Sequence, residues 1–227
     1  MKKLTHMSML LLAAFLCGAA LADDYYEVTV TNVTKAMTFT PVMVASTRRG
    51  HTFFTRGQAA SPELTILAET GNPMPLQASL DSFDVTNSGA TLGPGQSVTQ
   101  TIAARGKWRH ISVAAMLIPS NDTFFAVNGI RGPKGKQTLV VSSPAYDAGS
   151  EGNDELCENL PGPGCGGPDP GDPSTPAGEG YVYISNGMRG IGNIDALQID
   201  PEFIGNYEDL LDWRNPVAVI KIRRVKN

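Results

Sequence analysis

Along residues 26–34 the chain reads Tyr-Glu-Val-Thr-Val-Thr-Asn-Val-Thr, with Tyr26, Val28 and Val30 alternating with Glu27, Thr29 and Thr31. A period of two marks a half-buried strand. The same alternation closes the chain over 217–225, where Ala218, Ile220 and Ile222 lie opposite Val219, Lys221 and Arg223. Between these ends, 39–45 is a second apolar strand. After the turn Gly93-Pro94-Gly95, residues 96–103 place Val98 and Ile102 on one strand face with Gln100 between them. Residues 111–118 are almost wholly apolar, as expected of a central strand covered on both sides. Shorter strands are expected at 124–127, 138–141 and 181–185. Helical periodicity is scarce. Ser61 serves as an N-cap, Pro62 fits the first helical position, and Glu63 sits at the positive end of the dipole. Leu64, Leu67 and Ala68 then give an i, i+3, i+4 face, and Gly71 ends the helix. A second short helix starts at Asn72-Pro73 and runs to Leu80. The pattern predicts an all-β fold, a two-sheet antiparallel β-sandwich with short helical insertions.

Composition narrows this picture. Gly 24 and Pro 16 together exceed ordinary usage in 227 residues, which suits many turns and disfavours a helix bundle. A hydrophobic fraction of 41% is sufficient for a real core. Residues 161–180 hold six Pro and seven Gly and are expected as a surface loop. The piece beyond that loop is too small to support a core of its own, so 23–227 is expected to form a single domain.

The amino terminus is expected to stand apart from the fold. Lys2 and Lys3 precede a run of apolar and small residues over 9–22 that ends Ala20-Leu21-Ala22. This is the pattern of a secretory signal peptide over 1–22, cleaved before Asp23. The run is shorter than the ~20 residues a permanent span needs. Removing it takes away Lys2 and Lys3 and no acid, which leaves 16 basic and 22 acidic side chains, a net charge of −6. Such a balance opposes a life on nucleic-acid phosphates. Export, to a periplasm or outside the cell, permits disulfides. Cys157 and Cys165 are the two cysteines left, and a bridge between them is the simplest reading, ahead of two free thiols or half a metal site.

His-based catalysis has only His51 and His110 to draw on in 23–227. No nucleophile elbow, zinc-helix motif, phosphate loop or dinucleotide fingerprint is present. Oxygen-rich acidic loops are the one chemical theme. Asp122 lies in Pro119-Ser120-Asn121-Asp122-Thr123, and residues 147–155 read Asp-Ala-Gly-Ser-Glu-Gly-Asn-Asp-Glu. Carboxylates interleaved with Gly, Ser and Asn suit a hard cation, which takes several oxygens from a backbone free to wrap around it. An EF-hand does not fit, because Gly149 occupies position three of the loop, where a ligand is needed, and no flanking helices are indicated. An ordinary solvated acidic loop accounts for the same residues.

Several segments, in order, resemble the spondin N-terminal domain in its bacterial form. They are Tyr26-Glu-Val-Thr-Val-Thr-Asn32, Gly57-Gln-Ala-Ala-Ser-Pro-Glu-Leu64, Ala115-Met-Leu-Ile-Pro-Ser-Asn-Asp122, Pro144-Ala-Tyr-Asp147-Ala-Gly-Ser-Glu151 and Asp212-Trp-Arg-Asn-Pro216. The resemblance spans almost all of 23–227. Its most specific part is Pro-Ser-x-Asp paired with a later Asp-Ala-Gly-Ser-acid. It implies a C2-like sandwich topology and one calcium ion held by loop carboxylates, here Asp122, Asp147 and Glu151. Animal members of the family have Asp at the third position, where this chain has Glu. The family occurs in extracellular-matrix and cell-attachment proteins.

Two function classes therefore stand. One is a secreted calcium-binding adhesion or binding module, with an extracellular or cell-surface protein or glycan as partner and no reaction. The other is an exported carboxylate-dependent hydrolase of glycan or peptide, for which Phe53, Phe54, Trp108 and Trp213 are the candidate cleft aromatics. Lys221, Arg223, Arg224 and Lys226 are read either as a basic patch for anionic glycans or as charges guarding an exposed terminal strand.

Overall fold

The computed structural model describes residues 23–162, 165 and 177–226. The leader expected at 1–22 and most of the loop expected at 161–180 lie outside the described residues. In chain order the strands are β1 (Asp24–Asn32), β2 (Thr38–Phe39), β3 (Met43–Thr47), β4 (Ser82–Asn87), β5 (Ser97–Ala104), β6 (His110–Ile118), β7 (Thr123–Arg131), β8 (Thr138–Ser143), β9 (Ala145–Asp147), β10 (Tyr183–Ile184) and β11 (Ala218–Val225). Helices α1 (Pro62–Thr70) and α2 (Met74–Ser79) follow β3, and α3 (Ala196–Ile199) and α4 (Tyr207–Leu211) precede β11. Among the described residues no helix is long and apolar enough to cross a membrane.

Two antiparallel sheets form the predicted sandwich. One runs β5-β1-β11-β8, the other β10-β9-β7-β6-β3-β4, with β2 also paired to β6. The alternation of β1 turns Tyr26, Val28 and Val30 inward, where they join Ile220 and Ile222 of β11, Ile102 of β5 and Val113, Leu117 and Phe125 of the facing sheet. Burying one large aliphatic side chain stabilises by ~1.5–3 kcal/mol, so this shared core is the main bond between the sheets. Tyr207, Leu210, Leu211 and Trp213, from beyond the Gly/Pro-rich stretch, pack into the same core.

The apolar run of β6 is explained by a third layer. Its opposite face carries Ala114, which lies with Met43 and Phe124 beneath Leu64, Leu67 and Ala68 of α1. That helix begins as expected, with Ser61 Oγ accepting the Leu64 N–H at 3.2 Å. It ends at Gly71, whose φ of 68° and N–H bond to the Leu67 carbonyl form a left-handed cap. A Cβ at position 71 would lie 2.3 Å from Thr40 Cγ2, so close packing as well as backbone conformation requires glycine here.

Two expectations are corrected and one strand is added. The strand foreseen over 39–45 is two strands, because Pro41 has no N–H to give a ladder and the Val42 N–H turns to Ser88 Oγ at 2.9 Å. Strand β4 was not foreseen. All six of its residues are only half-buried, so its sequence lacks a clean apolar face. The closing strand is not an exposed edge. Both β1 and β8 pair with β11, and Lys221 and Arg223 occupy its outward face. There Arg223 Nε meets Glu27, its cross-strand neighbour, at 2.7 Å.

Candidate metal centre

Asp122 lies in the turn joining β6 to β7. Ser120 shapes this turn by donating its hydroxyl to the Leu117 carbonyl at 2.5 Å and accepting the Thr123 N–H at 3.2 Å. Asp147 ends β9, a short strand between β7 and β10, and is in register with Thr123 on one side and Tyr183 on the other. The sheet therefore delivers Asp147 next to the residue that follows Asp122. Both acids are essentially buried, at 0% and 1% exposure.

The loop after β9 closes over Asp122. Its Oδ2 accepts the N–H of Ser150 at 2.7 Å, the Ser150 hydroxyl at 3.1 Å and the N–H of Glu151 at 3.0 Å. Its Oδ1 is buried with no hydrogen-bond partner. Asp147 Oδ1 accepts the Gly149 N–H at 2.9 Å, and Oδ2 accepts Asn153 Nδ2 at 2.9 Å. Gly149 has φ of 67°, and a Cβ there would fall 2.4 Å from the Tyr181 carbonyl oxygen. The tight Asp-Ala-Gly turn thus depends on a glycine.

Burial, then the neighbouring Asp147, pushes the Asp122 carboxyl up to about 8, against the opposing pull of the Glu151 and Ser150 bonds. Asp147 is also raised, by burial above all, while Asn153, Gly149 and Tyr183 work to keep it ionised and Glu179 adds repulsion. Near neutral pH the pair is therefore short of two full negative charges. A proton on Asp122 relieves the repulsion, and a divalent cation would do so more completely.

The structure brings Asp122 and Asp147 together and places Glu151 beside them through its main chain: its N–H grips Asp122. Among the described residues no three His, Cys, Asp or Glu side chains converge as a metal-holding group. The fit to a calcium ion therefore rests on an oxygen-only donor pair with one bare buried oxygen. A hollow of about 80 Å³ opens on the Asp147 side of the pair, lined by Asp147, Asn153, Glu179, Tyr183, Ser185 and Arg189 among others, while Asp122 is not in its wall. Glu179 and Tyr183 were not foreseen. Glu179 lies at the end of the Gly/Pro-rich stretch and Tyr183 just beyond it, and only Gly178 and Gly180 hinted at a wrapping loop.

The other acids of the loop hold structure. Glu155, 3% exposed, accepts the N–H groups of Arg189 at 2.6 Å, Gly190 at 2.9 Å and Ile191 at 3.1 Å, and the Tyr207 hydroxyl at 2.7 Å. Asp154 accepts the Leu156 N–H at 3.0 Å and Asn159 Nδ2 at 2.6 Å. Cys157 and Cys165 are bridged, with Cα atoms 4.6 Å apart. Of the four candidate cleft aromatics, Phe53 and Phe54 are buried beside α1 and Trp213 is buried between the sheets. Trp108 is half-buried under Lys107 at 4.5 Å.

Compared with known proteins, the chain matches no family model and no curated sequence.

Proposed function

We propose that the chain is an exported, calcium-stabilised β-sandwich binding module that carries out no reaction. The observation that carries this reading is the bare Oδ1 of fully buried Asp122, set beside the second buried carboxyl of Asp147. A buried polar atom without a partner costs about 1–3 kcal/mol, and more if charged, so the site gains by taking up a cation. Oxygen-only chemistry favours calcium, and the resemblance to spondin domains points to the same ion. Asp122 and Asp147 would hold it, with Glu151 as the third carboxylate. The leader-like pattern at 1–22 and the Cys157–Cys165 bridge favour an oxidising, exported setting. The partner would be an extracellular or cell-surface protein or glycan.

The alternative, a carboxylate-dependent hydrolase, draws support from the raised Asp122 pKa beside a second acid. Size speaks against it. A water occupies ~30 Å³ in the liquid, so about 80 Å³ accommodates an ion with one or two waters rather than a sugar ring or peptide.

The test is a thermal melt with calcium, with magnesium and with chelator, on the wild type and on Asp122→Asn, Asp147→Asn and Glu151→Gln. Extracellular calcium modules bind at ~10⁻⁴–10⁻³ M. A tenfold excess over Kd then stabilises by ~1.4 kcal/mol and should raise Tm by about 3–6 °C. Magnesium should do much less, since it demands stricter octahedral geometry. Each variant should lose most of the calcium shift. A wild-type curve indifferent to millimolar calcium, or a shift that survives all three substitutions, would sink the reading.

A further inference from the structure

Basic side chains gather at one end of β6. Asp122 and Asp147 lie beyond the carboxyl-terminal end of β6, while His110 begins it, roughly 27 Å away at 3.4 Å per residue. At the His110 end, antiparallel pairing sets Thr47, Arg131 and His110 side by side, and Arg48, Arg49, Lys107 and Arg109 extend from the adjoining turns. A hollow of about 370 Å³ opens among them, lined by Arg48, Arg49, Lys107, Arg109, His110 and Arg131, with no carboxylate in its walls. Arg48 is paired with Asp81 at 2.6 Å and Arg109 with Asp24 at 2.7 Å. Arg49, Lys107 and Arg131 form no ion pair among the described residues. His110 Nδ1 is buried without a hydrogen-bond partner. Burial, and after it Arg131 and Arg49, hold that imidazole below its ordinary pKa.

A concave wall of one sign focuses that field on whatever enters. The guanidinium fork matches the paired oxygens of phosphate and sulfate. The volume falls at the lower end of small-molecule sites, about 300–1,000 Å³. The net charge of −6 over 23–227 disfavours a long polyanion lying across the rest of the surface, so a compact ligand fits better. The geometry points to this hollow as a binding site for a multiply charged tetrahedral oxyanion, a phosphate or sulfate group either free or esterified to a sugar. Arg49, Lys107 and Arg131 grip it, and His110 forms part of the wall behind it. The site is independent of the calcium reading.

Isothermal titration of the chain with phosphate, sulfate, glucose 6-phosphate and glucose 6-sulfate tests this, with chloride at matched ionic strength as reference. Saturable one-to-one binding of the oxyanions and none of chloride is the expected result. Arg49→Gln and Arg131→Gln should each weaken binding about tenfold, as for loss of a charged hydrogen bond. Both side chains are exposed, so the fold does not depend on them. Arg214→Gln, at a residue whose side chain is 94% exposed, should leave binding unchanged. Arg109 is left intact, because its loss would strip a partner from buried Asp24. Esters binding at least as well as free ions assign a sugar-borne group; free ions alone assign the inorganic anion. No saturable binding by any of the four ligands, or affinities unchanged in both variants, overturns the site. Equal or tighter binding of a short oligonucleotide, lost with salt, would also overturn it as general cation attraction.

Discussion

At the scale of single residues, Asp122 links structure to solution behaviour. Its carboxyl is raised from 3.8 to about 8 by burial and by Asp147, so the folded chain binds a proton there that the unfolded chain has released. In chelator this contribution is complete below about pH 4 and is lost as pH climbs through about 8. Urea unfolding in chelator should therefore give a lower midpoint at pH 8.5 than at pH 5.5, and Asp122→Asn should flatten the difference. Calcium must displace the same proton, so its stabilising effect should grow over that interval. A calcium effect of equal size at both pH values would separate the ion from Asp122. Glu155 makes a second prediction of this scale. Three N–H groups and a hydroxyl converge on its carboxylate, so Glu155→Gln should lower stability by about 1–3 kcal/mol, read as a shift in urea midpoint. Calcium binding should persist in that variant, since Glu155 is engaged with the 189–191 backbone.

At the scale of elements, α1 decides how β6 can be apolar throughout. Leu67 is 1% exposed between the helix and the sheet, and Leu67→Ala should cost about 2–5 kcal/mol through the lost methylenes and the cavity left behind. Ser61→Ala removes a single cap bond and should cost only ~1 kcal/mol. Denaturant midpoints of the two variants should fall in that order; the reverse order would mean that α1 is held by its ends rather than by its face. This helix was legible residue by residue, from the Ser61 cap to Gly71, because a cap, a proline and a glycine act locally. Strand β4 was not, because an edge strand with no fully buried residue leaves no period in the sequence.

At the scale of the whole molecule, the two sheets share one core and the Cys157–Cys165 bridge closes only a short loop at its margin. A loop of this length constrains the unfolded chain by ~2–3 kcal/mol in the chain-entropy estimate. The Cys157→Ser, Cys165→Ser double variant should therefore remain folded, with a Tm lower by several degrees. Complete loss of cooperative unfolding would show that the bridge supports the sandwich itself. The same scale reveals the basic hollow at the His110 end of β6, which no stretch of sequence displays because its members come from four separate turns and strands.

What the sequence determined by itself was whatever short-range physics can write: the alternation of β1 and β11, the doubly covered run of β6, the capped helix α1 and the oxygen-rich loop after Asp147. What only the tertiary structure decided was which of those acids meet. Asp122 and Asp147 are neighbours because β9 pairs with β7, while Glu155, eight residues further on, is turned toward the 189–191 backbone instead. Position in a loop fixes the kind of atom a side chain can offer. The partner that atom finds depends on strand register and on segments far away in sequence, and these are set by burial of the shared core rather than by the loop itself.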